Sequence, residues 1–187
     1  MLGTERRTPS GADRPVEAIR FRQAFRQVPA PVSIILVPGD QGGVLGITCT
    51  SATSASGDPP LAVVCVDDTP GVDRAIRRAG RFSVNFLAAD RAEWAAAFSS
   101  SGRDLGLRTA FLGTGRPPVP ILRTGTTAVL ECALDAIHPG GDHWIVSGLV
   151  SHARFQADSQ PLVYLGGRYG TFSSFGDPGR RGTPGES

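Results

Sequence analysis

The chain of 187 residues is long enough for one domain with a sizeable core. Its composition, with 40% hydrophobic and 19% charged residues, excludes a disordered or fibrous protein. Its 24 glycines and 15 prolines disfavour a helical bundle, because both residues interrupt regular structure. A net charge of +2, carried by scattered arginines without lysine, argues against a nucleic-acid-binding protein, which needs a concentrated basic face.

Three cysteines, Cys49, Cys65 and Cys132, lie in apolar or small-residue segments without the C-x-x-C spacing of a metal site. We therefore expect free, buried thiols in a reducing compartment and no bound metal. The sequence shows no apolar run of about 18 residues and no signal peptide. It predicts a cytoplasmic protein without membrane contact.

The first elements are a tail, a helix and a hairpin. Residues 1–15 are polar and predict a flexible N-terminal tail. Residues 16–28 carry apolar side chains at helical spacing between arginines, which predicts a short amphipathic helix ended by Pro29. Apolar runs at 32–37 and 43–50, separated by a glycine-containing turn, predict a β-hairpin.

Two further strands and two helices follow. The apolar run at 60–66 and the alternating pattern at 81–87 each predict a strand. Residues 71–79 between them have helical character. Residues 89–98 predict a second helix, with Asp90 as the candidate N-cap.

The last part of the chain is irregular at first and then returns to strands. Residues 99–124 have few periodic positions, and such long segments usually carry function or act as a lid. Strands are predicted at 125–137, 143–153 and 161–165, and residues 173–187 predict a flexible C-terminal tail. Without strand–helix–strand alternation, the chain predicts a mainly β fold: an antiparallel sheet closed or nearly closed into a barrel, with a few helices.

Residues 46–60, GITCTSATSASGDPP, have the most unusual local composition. Hydroxyl side chains and turn amides collected at a strand end donate hydrogen bonds without steric bulk, so they suit an anionic or amide-rich ligand. A flexible Ser/Thr loop is the alternative interpretation.

Two later segments are also candidates for a binding site. His143 begins a strand after a glycine turn, where an imidazole can serve a pocket mouth, although a lone histidine is often structural. The strand at 161–165 exits through two glycines into Arg168 and Tyr169, which could meet a ligand or form an ordinary turn. No dinucleotide-binding glycine fingerprint, P-loop or nucleophile elbow occurs, which argues against Rossmann and nucleophile-type enzymes.

Five motifs follow one another in order: Gly46-x-Thr48-x-x-Ser51-x-Thr53-Ser54-x-Ser56, Asp58-Pro59-Pro60-Leu61, Phe82-x-Val84-Asn85, Gly141-Asp142-His143-x-Ile145-x-x-Gly148-x-Val150, and Pro161-Leu162-Val163-Tyr164 with Arg168-Tyr169. In this order they resemble the flavin reductase family, small NAD(P)H:flavin oxidoreductases that serve two-component monooxygenases. The resemblance covers roughly residues 18–172. It implies an FMN-binding split β-barrel, antiparallel and Greek-key-like, over the domain 16–172.

The resemblance also implies roles for particular residues. The flavin, FMN or FAD, would be lined by Thr48, Thr50, Ser51, Ala52 and Thr53. The same cleft would be bordered by Cys65, Val66 and Asp67 and closed by Arg168 and Tyr169. His143 would be the catalytic-site residue that faces the nicotinamide of NADH or NADPH. The family further implies a homodimer with flavin near the subunit interface, and a flavin-dependent monooxygenase that receives the reduced flavin.

Four positions depart from the family pattern. Asp68 and Val72 stand where a cation and a hydroxyl usually help to hold the flavin phosphate, so we expect compensation from Arg74, Arg77 or Arg78. Ala52 replaces a bulky apolar residue, which would open the flavin pocket, and Pro31 replaces a glycine. These departures leave two alternative functions: a flavin-binding module with little turnover, or a flavoprotein whose bound FMN reduces a small organic acceptor.

Overall fold

The computed structural model describes residues 14–39, 42–67, 71–99, 112–116 and 118–175. The two predicted tails lie almost entirely outside these residues, as do Asp68 and positions 100–111 of the predicted irregular segment.

Within the described residues the chain forms helices and strands in a mainly β arrangement. The helices are α1 (Ala18–Phe25), α2 (Val72–Ala79) and α3 (Ala92–Ser99), the last preceded by a 3₁₀ turn at Ala89–Arg91. The strands are β1 (Ala30–Pro31), β2 (Ser33–Pro38), β3 (Val44–Cys49), β4 (Thr53–Gly57), β5 (Pro60–Asp67), β6 (Arg81–Leu87), β7 (Leu112–Thr114), β8 (Pro120–Leu122), β9 (Thr126–Pro139), β10 (His143–Phe155), β11 (Val163–Leu165) and β12 (Arg168–Gly170).

The main sheet has seven antiparallel strands in the order β3-β2-β6-β9-β10-β5-β4, so β3 and β4 lie at opposite edges. A flat sheet of this size would be about 29 Å wide at ~4.8 Å per strand. The backbone from Cys49 to Thr53, however, spans at most about 14 Å. The sheet must therefore curl until its edges nearly meet. This split barrel, open along one seam, confirms the predicted fold class.

Strand β2 is buried on both faces and divides two hydrophobic clusters. Ile35 and Val37 belong to the cluster inside the curled sheet, where Ile76 of α2 packs beside Phe82. The alternate residues of β2, Ile34 among them, point to the other face and join the outer cluster beneath α3 and β8. The two helices therefore cover opposite faces of the same strand, which explains its continuous apolar sequence.

Asn85 is fully buried and joins three strands through its side chain. Its Nδ2 donates to the carbonyl of Ile34 at 3.0 Å and to Oγ of Ser83 at 2.8 Å. Its Oδ1 accepts from the backbone N–H of Leu122 at 2.9 Å. All its polar atoms are thus used within the fold, and the motif Phe82-x-Val84-Asn85 is structural.

Most predicted elements are confirmed, with differences of a few residues at their ends. Strand β4 is the main omission, because its exposed sequence TSASG has no apolar alternation and the strand is held only by pairing with β5. Asp90 does not begin α3: it lies in the 3₁₀ turn, where its carboxylate pairs with Arg91 at 2.9 Å.

Candidate functional site

Two adjoining clefts lie at the seam of the barrel, and both are lined by Thr50 and Ser51. These residues belong to the short crossing between β3 and β4. The seam therefore places the hydroxyl-rich segment between two different environments, one in which hydroxyl, carboxylate and imidazole groups lie among apolar side chains, and one that is mainly apolar.

The first cleft, which we call the hydroxyl cleft, has a volume of about 400 Å³. Its lining combines residues from the end of β3, the end of β5 and the start of β10, including Thr48, Thr50, Ser51, Cys65, Asp67 and His143. Asp67 and His143 lie side by side because β5 and β10 pair antiparallel in that register. The fold thus unites side chains that are far apart in sequence.

Ser51 closes the seam with its hydroxyl group. Its Oγ accepts from the backbone N–H of Cys65 at 2.8 Å and donates to the carbonyl of the same residue at 3.1 Å. Because Thr53 pairs with Val63, Ser51 stands at the next pairing position of the β4–β5 ladder. A side-chain hydroxyl there takes the place of a backbone pair.

Strand β3 holds helix α3 against the same cleft. Thr48 Oγ1 donates to the carbonyl of Ala95 at 2.6 Å, so this hydroxyl already has a partner in the fold. Gly46 leaves room for the ring of Phe98, since a Cβ at position 46 would lie 2.3 Å from Cε1 of that ring. These contacts place Phe98 and Ser99 in the wall of the hydroxyl cleft.

His143 and Asp142 form an exposed hydrogen-bonded pair at the mouth of this cleft. Nδ1 of His143 lies 2.7 Å from Oδ1 of Asp142, and 44% of the histidine side chain is exposed. The hydrogen bond and the charge of the imidazolium hold the pKa of Asp142 below its ordinary value. An ionised carboxylate accepts from Nδ1–H, so Nε2 is the ring nitrogen that can serve a ligand.

The second cleft, which we call the ring cleft, is larger, at about 910 Å³, and mainly apolar. Its lining includes α1 side chains such as Phe21 and Phe25, residues 29–31, residues 50–53, and Tyr164 and Leu165. Flat aromatic groups fit such a lining of rings, prolines and aliphatic side chains.

The structure brings together most, but not all, of the predicted site residues. Cys65, Val66 and Asp67 all line the hydroxyl cleft, although the side chain of Val66 is almost fully buried in the core. Thr53 and the almost fully buried Ala52 border the ring cleft. Arg168 and Tyr169 line neither cleft.

Tyr169 acts on the site through Tyr164, which itself lines the ring cleft. The two ring centroids lie 5.4 Å apart. Burial, and secondarily the neighbouring Tyr164, raise the pKa of Tyr169 above its ordinary value. The phenol of Tyr169 is therefore neutral at physiological pH, and its ring supports the wall of the cleft from behind.

The arginines expected to compensate for Asp68 and Val72 do not reach either cleft. Val72 itself is buried in the core. Arg74, Arg77 and Arg78 are exposed on α2, and none of them lines the two clefts. Arg77 instead stacks over Trp144, with its Cζ 4.9 Å from the ring centroid. The expectation of compensation from α2 is therefore wrong for these clefts.

Sequence reasoning missed the arginines that do line a cleft, Arg22 and Arg26 of α1. Their alternation with apolar residues predicted an amphipathic helix, but its side chains were given no role. Their position depends on a contact between α1 and the turn between β11 and β12 that the sequence does not reveal. In this contact the N–H of Gly166 donates to the carbonyl of Arg26 at 2.9 Å.

The three cysteines carry free thiols, as predicted, and two of them are buried. Burial raises the pKa of the Cys49 thiol, and it raises the pKa of Cys132 to about 12. Both are therefore protonated and unreactive at neutral pH. Among the described residues, no three His, Cys, Asp or Glu side chains form a candidate metal site. In the same part of the chain, no helix is long and apolar enough to cross a membrane.

The chain is similar to proteins of known activity over most of its length. Residues 25–173 match the family model described as the flavin reductase like domain. The chain is 35% identical over 156 residues to the reductase subunit HsaB of a flavin-dependent monooxygenase from Rhodococcus jostii. This alignment covers 82% of this chain and 77% of that protein. The chain is 32% identical over 154 residues to SmoA, an FMN reductase (NADH) from Agrobacterium fabrum, which covers 82% and 85%.

A solved structure with the same fold contains fragments of NAD and FAD. The NADH:FAD oxidoreductase SgcE6 from Streptomyces globisporus C-1027, in complex with NAD and FAD fragments, superposes with a TM-score of 0.77 at 29% identity. The alignment covers 85% of this chain and 94% of that chain.

Replacement of Ser51 by Ala should destabilise the seam. The change leaves the N–H of Cys65 without its hydroxyl partner, and because this hydrogen bond is exposed to solvent we expect the free energy of unfolding to fall by about 0.5–1.5 kcal/mol. Urea denaturation of both proteins measures the difference. Ser54→Ala on the exposed strand β4 is the matched control and should change stability by less than about 0.5 kcal/mol. Equal effects of the two substitutions would show that Ser51 does not hold the seam.

Proposed function

Because the chain belongs to the family of flavin reductase-like domains, we propose that it is an NADH-dependent flavin reductase that reduces FMN or FAD and supplies the reduced flavin to a partner monooxygenase. The match over residues 25–173 covers the whole barrel and the segments that line the two clefts, except for the α1 residues before Phe25. The enzyme is an oxidoreductase, and its activity needs a flavin and a nicotinamide dinucleotide.

The junction of the two clefts is the observation that supports this function best. A flavin joins a flat aromatic ring system to a polar chain that ends in phosphate, and the chain offers an apolar cleft next to a hydroxyl-lined one. Thr50 and Ser51 border both clefts, so one ligand can extend across them. We assign the rings to the ring cleft and the phosphate end to the hydroxyl cleft.

The chemistry requires little of the protein beyond binding and orientation. The flavin ring accepts a hydride from the nicotinamide and supplies the redox chemistry when bound. No general acid or base is needed for that transfer, which agrees with the scarcity of titratable side chains in the ring cleft. Tyr164 and the α1 side chains would bind and orient the flat rings that the cleft receives.

The phosphate end of the flavin needs donors, and the hydroxyl cleft supplies them without an arginine from α2. The hydroxyl of Thr50 and the turn amides of residues 50–52 are the candidates, because Thr48 and Ser51 already use their hydroxyls within the fold. Backbone N–H groups in a turn form good anion sites. Asp67, at the edge of the same cleft, opposes an anion, so we expect modest phosphate affinity and a flavin that dissociates readily.

His143 is proposed to bind the nicotinamide substrate, although it lines the hydroxyl cleft. With Asp142 accepting from Nδ1–H, the neutral ring presents Nε2 as an acceptor for the carboxamide N–H of the nicotinamide, and Asp142 sets the orientation of the ring. This is a binding role, consistent with a hydride transfer that needs no proton from the protein.

A homodimer is proposed from the apolar strip on the outer face of β10 and β5. Ile145 and Leu149 are 39% and 40% exposed. Antiparallel register sets Leu149 opposite Leu61. The partly exposed Val63 lies two residues further along β5, opposite Ser147, and extends the strip toward Ile145. A second copy of the chain would cover this strip. We also propose a cytoplasmic location, where NADH is available and thiols stay reduced.

The purified protein should oxidise NADH only when a flavin is added. We expect the NADH absorbance to fall after addition of FMN or FAD and to remain constant without them, because the cleft at the seam releases flavin readily. Absence of oxidation with either flavin, and with either NADH or NADPH, would contradict the proposed function. Turnover of an organic acceptor without added flavin would indicate a tightly bound prosthetic group instead.

Replacement of His143 by Ala should raise the KM for the nicotinamide substrate. Loss of one hydrogen bond to a charged or polar group predicts roughly a tenfold increase, with little change in the KM for flavin. Steady-state kinetics with each substrate varied in turn measures both constants. His152→Ala, on the same strand but outside both clefts, is the matched control. An unchanged KM for the nicotinamide in His143→Ala would exclude the proposed role.

Replacement of Leu149 by Asp should convert the dimer into monomers. A charge in the centre of the apolar strip cannot be buried without a partner, so it opposes association. Light scattering coupled to gel filtration measures the mass. Ala153→Asp, at an exposed position further along β10, should leave the dimer intact. A monomeric wild-type protein would contradict the proposed assembly.

A further inference from the structure

Helix α1 forms one wall of the ring cleft without burying any of its own residues. It is attached at its C-terminal end, where Gly166 N donates to the carbonyl of Arg26 at 2.9 Å and the guanidinium of Arg26 donates to the carbonyl of Gly166 at 3.2 Å. Gly167 leaves room for that guanidinium, since a Cβ there would lie 2.5 Å from Nη2 of Arg26. Arg26 therefore attaches α1 to the turn between β11 and β12.

Arg22 lies one turn earlier on the same helix and also lines the ring cleft. Unlike Arg26, its guanidinium makes no hydrogen bond or ion pair with any residue that the structure describes. The side chain is exposed. A cation without a partner in the wall of a mainly apolar cleft is well placed to meet an anionic group on a ligand that carries a ring.

We propose that Arg22 binds the diphosphate of the nicotinamide dinucleotide. This inference rests on the proposed function and assigns a substrate group to one residue of α1. Two ligands with phosphate take part in the reaction, and hydroxyl and amide donors for the flavin phosphate lie in the other cleft. The nicotinamide must reach the flavin ring at the junction of the two clefts, with His143 on the side of the hydroxyl cleft, and the dinucleotide can then extend along the ring cleft toward the α1 wall. Arg22 is the cation of that wall whose donors are all available.

The contribution of Arg22 should be moderate, because the site is open to solvent. Hydrogen bonds between a guanidinium and phosphate are charge-assisted and can be bidentate, but salt screens an exposed pair. We expect a roughly tenfold effect on affinity at low ionic strength and a smaller one in high salt. If Arg22 contributed only through its size, its effect on affinity would not depend on salt.

Kinetics of Arg22→Ala provide the first test. The KM for NADH should rise about tenfold, while kcat and the KM for flavin change less than about twofold. Arg22→Lys should restore part of the affinity, because it retains the charge but not the fork. Arg20→Ala is the matched control, since Arg20 is exposed on the same helix and does not line the cleft. An increase confined to the KM for flavin would overturn the proposal and assign Arg22 to the flavin phosphate.

Calorimetric titration with ADP-ribose provides the second test and does not depend on turnover. ADP-ribose carries the diphosphate but lacks the nicotinamide ring. Its dissociation constant should rise about tenfold in Arg22→Ala at low salt, and the difference should shrink as salt is added. Equal affinities of wild type and Arg22→Ala would overturn the inference about Arg22. Failure of the proposed function appears separately, as a wild-type protein that oxidises no NADH with either flavin.

Discussion

The structure depends on one geometric constraint: the chain passes from one edge of a seven-stranded sheet to the other through residues 50–52. So short a crossing forces the sheet to curl, and the curl brings the end of β3 against the end of β5. The hydroxyl of Ser51 then pairs with the backbone of Cys65, where the ladder of β4 has already ended. The two candidate clefts lie at this seam, where polar backbone groups and small side chains are collected.

The seam also explains why the site has two chemical characters. On one side, β10 delivers His143 next to Asp67, and α3 is seated on β3 by the contact between Thr48 and Ala95. On the other side, α1 and the β11–β12 turn supply aromatic and aliphatic walls. A ligand that is part aromatic and part phosphate needs both environments within its own length, and residues 50–51 are where the two meet. A bound flavin would supply the redox chemistry, and the residues of the two clefts would hold and orient it.

Much of the fold could be predicted from the sequence, because apolar periodicity marks the long strands of the main sheet; the short strands β7 and β8, within the segment predicted to be irregular, could not be. Strand β4 could not, since its small hydroxyl-bearing residues are held by backbone pairing alone. The motifs, although far apart in the chain, include residues that the structure collects in one cleft, such as His143 and Thr50. Residues 50–53 also line the ring cleft, but its α1 wall could not be predicted, because it depends on a contact made through the backbone of Gly166. Val72 shows the same limit: the family resemblance places a hydroxyl at this position, whereas the side chain here faces the core.

The manner in which α1 is held has a consequence for how affinity can change during evolution. A helix of eight residues is marginal in water by itself, and this one buries none of its residues. Its helical form therefore depends on its own propensity and on the contacts of Arg26 with Gly166 more than on packing. A substitution at Ala24, which does not line the ring cleft, can change helix propensity without changing the residues that line the cleft. The wall of the cleft can thus be stabilised or destabilised at a position that touches no ligand.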